Sequence, residues 1–204
     1  MTCQATKIEA MSEGTPPISL SNQFLIAMPG MVDGNFAGTV VYLCEHNEKG
    51  ALGLVINRPL DIDLQHLFEK VDLSLVREDM AALPVFLGGP VQTERGFVLH
   101  DSLDDEGGHY SSSMQIDGGL EMTTSRDVLE AISHGAGPKR IFMTLGYSGW
   151  GAGQLEDELS RNGWLNVAAD HAIIFDTPVE LRYDKALALL GIDRSFLQSD
   201  AGHA

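Results

Sequence analysis

Residues 144–165 read TLGYSGWGAGQLEDELSRNGWL, so both tryptophans and five glycines of this stretch fall within 22 positions. Glycine accepts backbone geometries and close approaches that other residues refuse, while an indole needs a packed surface and a partner for its N–H. A segment combining the two is built to one tight shape. The apolar run 141–145 predicts a strand, 146–153 a glycine loop, and 154–162 a helix with Leu155 and Leu159 on its buried side.

A strand, a glycine loop and a helix in succession raise the idea of phosphate binding, because free N–H groups at a helix start attract anions. The residues argue against it. Ala152 and Gly153 stand where a phosphate loop needs Lys and Ser or Thr, and Gln154 stands where a dinucleotide motif needs its third glycine. Glu156, Asp157 and Glu158 crowd the first turn, where they meet the helix dipole and repel phosphate. The glycines either allow a sharp turn beneath packed indoles or frame a neutral, cationic or protein ligand.

Three further blocks accompany this segment: FLIAMPGMVDGNFAGTVVYLCEHNEKGALGLVINRP (24–59), LGGPVQTERGFVLH (87–100) and AADHAIIFDTPVELRYDKALALLGID (168–193). Together they resemble the AlgH/YqgE family of bacterial proteins, in order and over about residues 20–193. The resemblance implies the family's strand-rich fold and carries no established reaction. One branch of that family bears the label of transcriptional regulator, after an association with alginate synthesis.

Charge weighs against a literal reading of that label. Thirteen Lys and Arg face 29 Asp and Glu, giving a formal charge of −16, and Lys139-Arg140 is the sole adjacent cation pair. Such a chain repels a polyphosphate backbone at long range, and no DNA-reading motif is present. No stretch approaches the roughly 18 apolar residues that a membrane-spanning helix needs. Cys3 and Cys44 suggest no disulfide framework, in keeping with a cytoplasmic protein.

The expected layout is a mobile tail over 1–19, one domain over 20–194 and a C-terminal tail over 195–204. Strands are predicted at 24–28, 39–46 and 51–57, the last two joined by the Asn47–Gly50 turn, and then at 85–87, 96–100, 113–117 and 120–124. Gly118-Gly119 marks another hairpin. Helices are predicted over 64–71, capped by Asp61 or Asp63, over 126–134, capped by Ser125, and after a Thr177–Glu180 capping box through Leu190. Hairpins among about four helices give an α+β fold with a mixed, largely antiparallel sheet.

Several residues are candidates for chemistry. Cys44 and His46 lie two apart in a predicted strand, so both are expected on one face, the minimum for a thiol nucleophile beside a base; following Val40 and Tyr42 on the same face, Cys44 reads first as a core residue. Asn57, Arg58 and Arg95 bring two guanidiniums toward a carboxylate or an internal acid. Gln154 and Glu158, four apart on one helix face beside Trp150 and Gly151, could line a pocket. His100, Asp101, Asp104, Asp105, Glu106 and His109 are metal-binding types, but match neither a zinc-helix nor a calcium-loop spacing and read as a solvated acidic loop. Ser111–Ser113 and the near-miss at Gly146–Gly149 do not form a nucleophile elbow.

The resulting expectation is a non-catalytic binding or regulatory protein, without metal or cofactor, that meets a protein partner or small ligand near Trp150, Gly151, Gln154 and Glu158. Asn57, Arg58, Arg95 and His46 are further candidate contacts. The alternatives are an enzyme acting on a small metabolite through Cys44 and His46 or through carboxylates, and a direct DNA binder, which the charge disfavours.

Overall fold

The computed structural model describes residues 19–102 and 110–198. The expected N-terminal tail lies outside the described residues through position 18, as do 199–204 of the expected C-terminal tail, while 195–198 are corrected from tail to a short helix, Arg194–Gln198; Cys3, Asp104, Asp105, Glu106 and His109 also lie outside.

Apolar runs set the architecture. FLIA, VVYLC, FVL and IFM are continuous instead of alternating, the mark of strands covered on both faces. They fall in β1 (Gln23–Ala27), β2 (Val40–Asn47), β6 (Val91–Asp101) and β9 (Ile141–Gly151). The remaining strands are β3 (Gly50–Val55), β4 (Pro59–Asp63), β5 (Pro84–Leu87), β7 (Ser113–Ile116), β8 (Leu120–Thr123) and β10 (Trp164–Ala168). One curled ten-stranded sheet results, in the order β10-β1-β2-β3-β9-β6-β8-β7, with β5 beside β9 and β4 outside β5. Among the described residues every pairing is antiparallel except β5 with β9. The mixed, largely antiparallel α+β expectation holds.

Helices α1 (Leu64–Lys70), α2 (Arg126–Ser133), α3 (Gln154–Ser160), α4 (His171–Phe175), α5 (Arg182–Ala188) and α6 (Arg194–Gln198) divide the covering. On one face, Phe24, Ile26, Tyr42, Leu54 and Phe142 meet Ile174 of α4 and Tyr183 and Leu187 of α5. On the other, α1 and α2 cover Val85, Val98 and Met143, while α3 and the loop bearing Phe36 cover Leu25, Val41 and Leu43.

β9 links the two halves. Its first part, Met143–Leu145, lies between β5 and β6, and its second, Ser148–Gly151, pairs with β3. Between them Gly146 takes φ +73°, a left-handed geometry that suits glycine. The loop expected over 146–153 is thus corrected: residues through Gly151 are strand. Gly149 and Gly151 sit in register with Leu52 and Gly50, and an absent side chain does not stop a backbone ladder.

Local signals succeed where their geometry is short-range. Asp63 caps α1, its carboxylate accepting from the His66 N–H at 2.9 Å, and Gly118 and Gly119 turn β7 into β8 with φ of +92° and +86°. Two caps are corrected. The Ser125 hydroxyl donates to the Asp127 carboxylate instead of capping α2. Thr177 closes α4 through its N–H and hydroxyl to the Ala172 carbonyl, at 3.0 and 3.1 Å, and α5 begins only at Arg182 after a 3-10 turn, Val179–Leu181.

Candidate functional site

The two faces of β9 present different chemistry. On one, Trp150 and the first turn of α3 form a closed clasp around Glu158. Glu158 Oε2 accepts from Trp150 Nε1 at 2.9 Å and from Trp164 Nε1 at 2.8 Å, while Oε1 accepts from Gln154 Nε2 at 2.9 Å. Gln154 Oε1 in turn accepts from the Gly151 N–H at 3.0 Å. Phe36 stacks on Trp150 with centroids 5.8 Å apart and meets Trp164 edge-on at 5.4 Å. Both indoles are buried. The four residues singled out in the motif are thus brought together, with their polar atoms engaged within the chain. Trp164 was missed as their partner, although the presence of both tryptophans in one short segment was its signal.

Cys44 and His46 are not brought together. The register between β2 and β3 shifts between Leu43 and Glu45, so Cys44 is the extra residue of a bulge. Cys44 packs with Phe24 and Tyr42, while His46, opposite Ala51, turns to the face covered by α3. There Nδ1 accepts from the Leu20 N–H at 3.1 Å, which leaves Nε2 to donate to Glu156 Oε1 at 3.0 Å. Burial, with Glu45 nearby, pushes the Cys44 thiol far above its ordinary range. We expect Ellman's reagent to leave Cys44 unmodified in the native protein and to label it once denaturant is added, read by mass mapping so that Cys3 is scored separately.

Asn57, Arg58 and Arg95 have separate tasks. Asn57 accepts from the Val40 N–H and donates to the Gly38 carbonyl, each at 2.9 Å, and Arg58 donates to the carbonyls of Gly34 and Ala37, each at 3.1 Å. Both staple the loop that carries Phe36. Arg95 donates to Thr124 Oγ1 at 2.9 Å and lies over the Phe97 ring. Among the described residues the two guanidiniums share no partner. Among the described residues no three His, Cys, Asp or Glu side chains are grouped to hold a metal. His100 is buried, with Nδ1 on the Asp101 carbonyl at 2.8 Å and Nε2 on the Thr123 hydroxyl at 2.9 Å.

The opposite face of β9 carries Tyr147 and Gly149 and is open. A cleft of about 510 Å³ lies beside the β2–β3 hairpin, lined by Glu45, Lys49, Leu52, Val91 and Tyr147 among others. A second depression of about 280 Å³ adjoins it, lined by Arg95, Phe97, Ser113, Met122 and Thr124. Leu52 and Tyr147 belong to both walls, so the two form one groove across the sheet. Its depth has a backbone cause. The register of β6 against β9 shifts between Val91 and Gly96, and Gln92 takes φ +49°, carrying residues 92–95 off the ladder. Gly149 also keeps the floor low, since a Cβ there would stand 3.1 Å from Tyr147 Cε2. Reading 146–151 as a loop hid this groove; strand alternation would have put Tyr147 and Gly149 on one face and Trp150 on the other.

Comparisons with known proteins agree with this architecture. The profile of the family described as AlgH-like matches residues 24–195. A UPF0301 protein of Burkholderia multivorans is 64% identical over 194 residues, covering 95% of this chain and 100% of the relative, and one from Burkholderia ambifaria is 63% identical with the same coverage. The solution structure of AlgH from Pseudomonas aeruginosa superposes with a TM-score of 0.74 at 50% identity, covering 94% of this chain and 100% of that one. A crystal structure of a Corynebacterium diphtheriae protein, at 18% identity and TM-score 0.65 over 85% of this chain and 88% of the other, shares the fold. No helix among the described residues is long and apolar enough to cross a membrane. The chain belongs to the AlgH-like family.

Proposed function

We propose that the protein is a non-catalytic, cytoplasmic binding protein whose groove over Leu52 and Tyr147 takes an extended segment of a partner protein. The observation that carries this is the groove itself. Its floor offers Leu52, Val91, Tyr147, Phe97 and Met122, and its rim offers Arg95 beside the hydroxyls of Ser113 and Thr124. An apolar floor with a few polar groups at one end suits a chain of alternating apolar side chains that ends in, or carries, a carboxylate. Any regulatory effect then runs through protein contacts, because a net charge of −16 opposes a nucleic-acid partner.

The clasp around Glu158 supports this reading from behind. It ties Gly151 and Trp150 to α3, so the strand that presents Tyr147 is held on its other face. Preorganisation of that kind lowers the cost of binding.

The test is peptide display against the whole protein, followed by titration of a selected peptide into wild type and variants. We expect selected peptides to combine apolar residues with an acidic group. Tyr147→Ala is expected to weaken them roughly 10- to 100-fold, and Arg95→Ala roughly 10-fold, each titrated well below the variant's own unfolding midpoint because Tyr147 also packs on Phe97. Failure to enrich any peptide, or equal affinity in Tyr147→Ala, would overturn the reading.

A further inference from the structure

Arg182 is buried and opens α5, yet no acidic side chain among the described residues lies within ion-pair distance of it, in a chain with 29 Asp and Glu. Burying a guanidinium costs several kcal/mol unless charge or hydrogen bonds compensate, roughly as for other ions. The compensation here is incomplete. Nε donates to the Thr177 carbonyl at 3.0 Å and Nη1 to the Ile56 carbonyl, while the cation lies 4.9 Å above the Phe86 ring centroid and 5.4 Å from that of Phe142. Nη2 donates to no protein group of the described residues. Burial pushes the guanidinium down to about 10, so it remains charged at neutral pH.

Beside that cation lies a half-enclosed cavity of about 40 Å³, lined by Arg182, Phe86, Phe142, Leu64 and Ile174 among others. A single water needs roughly 10–15 Å³ on this measure, so the space admits about three non-hydrogen atoms. It adjoins an outer vestibule of about 190 Å³, with which it shares Leu83, Ile141 and Phe175. Lys139, Arg140, Asp79 and Asp176 stand at the vestibule. Arg77 pairs with Asp79 at 2.6 Å, and Arg140 grips Asp101 at 2.6 and 3.0 Å and reaches Asp176 at 3.8 Å, so that with Lys139 three cations stand against three carboxylates. An anion entering here meets no net negative charge, despite the −16 of the whole chain.

We propose that this cavity is a binding site for the carboxylate of a small aliphatic monocarboxylate, held on the free Nη2 edge of Arg182, with its short tail leading out past Leu83 and Phe175. The apolar walls favour a carboxylate with a tail over a bare inorganic anion, and the volume limits the buried part to the three atoms of the carboxylate group, with the tail in the passage toward the vestibule. Guanidinium and carboxylate match in planar geometry, which is why this cation suits such a ligand. The site is on the α4–α5 side of β5 and β9, and its lining has no residue in common with the groove over Tyr147. It therefore stands or falls independently of the reading above.

The probes are sodium acetate and sodium propionate, titrated into the full chain against sodium chloride at matched ionic strength. The readouts are the Arg182 Nε–H resonance, the amides of Ile174 and Phe175, and the thermal midpoint. The expected result is a saturable shift with either carboxylate, a midpoint raised by a few degrees at saturation, and little response to chloride. Arg182→Met would remove the site but also two bonds to backbone carbonyls, so the deciding variant is Leu83→Trp, which fills the passage and leaves Arg182 untouched. It should keep the wild-type midpoint in plain buffer and lose the carboxylate response. No saturable shift, an equal shift with chloride, or an unchanged response in Leu83→Trp would each overturn the proposal.

Discussion

Replacing Gly89 by alanine is expected to lower the stability of the protein by about 4 kcal/mol, and its thermal midpoint by roughly 8–16 °C. Gly89 takes φ +151°, and a Cβ on it would meet the Tyr147 carbonyl carbon and oxygen at 2.4 Å and the Ser148 nitrogen at 2.5 Å. Those are backbone atoms of a central strand and have nowhere to go. Its neighbour is equally confined: a Cβ on Gly88 would stand 2.2 Å from the Gly146 carbonyl oxygen. The contact matters because Gly88 ties three strands. Its N–H donates to Leu145 at 2.9 Å, and its carbonyl accepts from the Val55 N–H at 2.9 Å and from Ser148 Oγ at 3.1 Å. Gly34→Ala is the matched control, since a Cβ there meets nothing within 4 Å and the residue has no positive φ. It should change stability by no more than about 0.5 kcal/mol, or stabilise slightly through the unfolded chain. Thermal and denaturant unfolding of both variants checks the pair; equal midpoints would mean that the GGP turn is not the constraint described.

The same contacts explain what could be read in the sequence and what could not. Runs such as FLIA and VVYLC announce strands covered twice, and Asn47–Gly50 and Gly118-Gly119 announce hairpins, because each signal is local. Gly146–Gly151 was legible as a special shape but not as a strand, since glycines carry no side chain to display a two-residue period. β4 and β10 are short and half-exposed, with burial that gives no strong apolar signal. The clasp was partly legible, through the four-residue spacing of Gln154 and Glu158; Trp164 depends on β10 pairing with β1. Cys44 and His46 misled because one inserted residue in β2 reverses the parity of everything after it. The groove and the Arg182 cavity were not legible at all. The first arises from a register shift in β6, and the second brings α4 and α5 onto rings from β5 and β9, contacts that no spacing along the chain encodes.

Glu158→Ala is expected to cost about 3 kcal/mol, with the thermal midpoint falling roughly 6–12 °C. The carboxylate is the shared acceptor of two buried indole N–H groups and of the Gln154 amide. Removing it loses three charge-assisted bonds and leaves two buried indole donors without their shared acceptor. An unsatisfied buried donor costs roughly 1–3 kcal/mol, which sets the magnitude. Glu158→Gln separates hydrogen bonding from charge: its carbonyl oxygen can still accept from both indoles, but its amide nitrogen confronts the Gln154 amide, so about 1 kcal/mol is expected. The chain has two tryptophans and both belong to the clasp, so tryptophan fluorescence, excited to the red of the tyrosine band, reports on this site alone. The alanine variant should show a red-shifted native spectrum as water reaches the indoles, and the glutamine variant a spectrum close to wild type. A native spectrum and midpoint unchanged in Glu158→Ala would mean that the indoles are held by Phe36 and the surrounding core, with the carboxylate incidental to them.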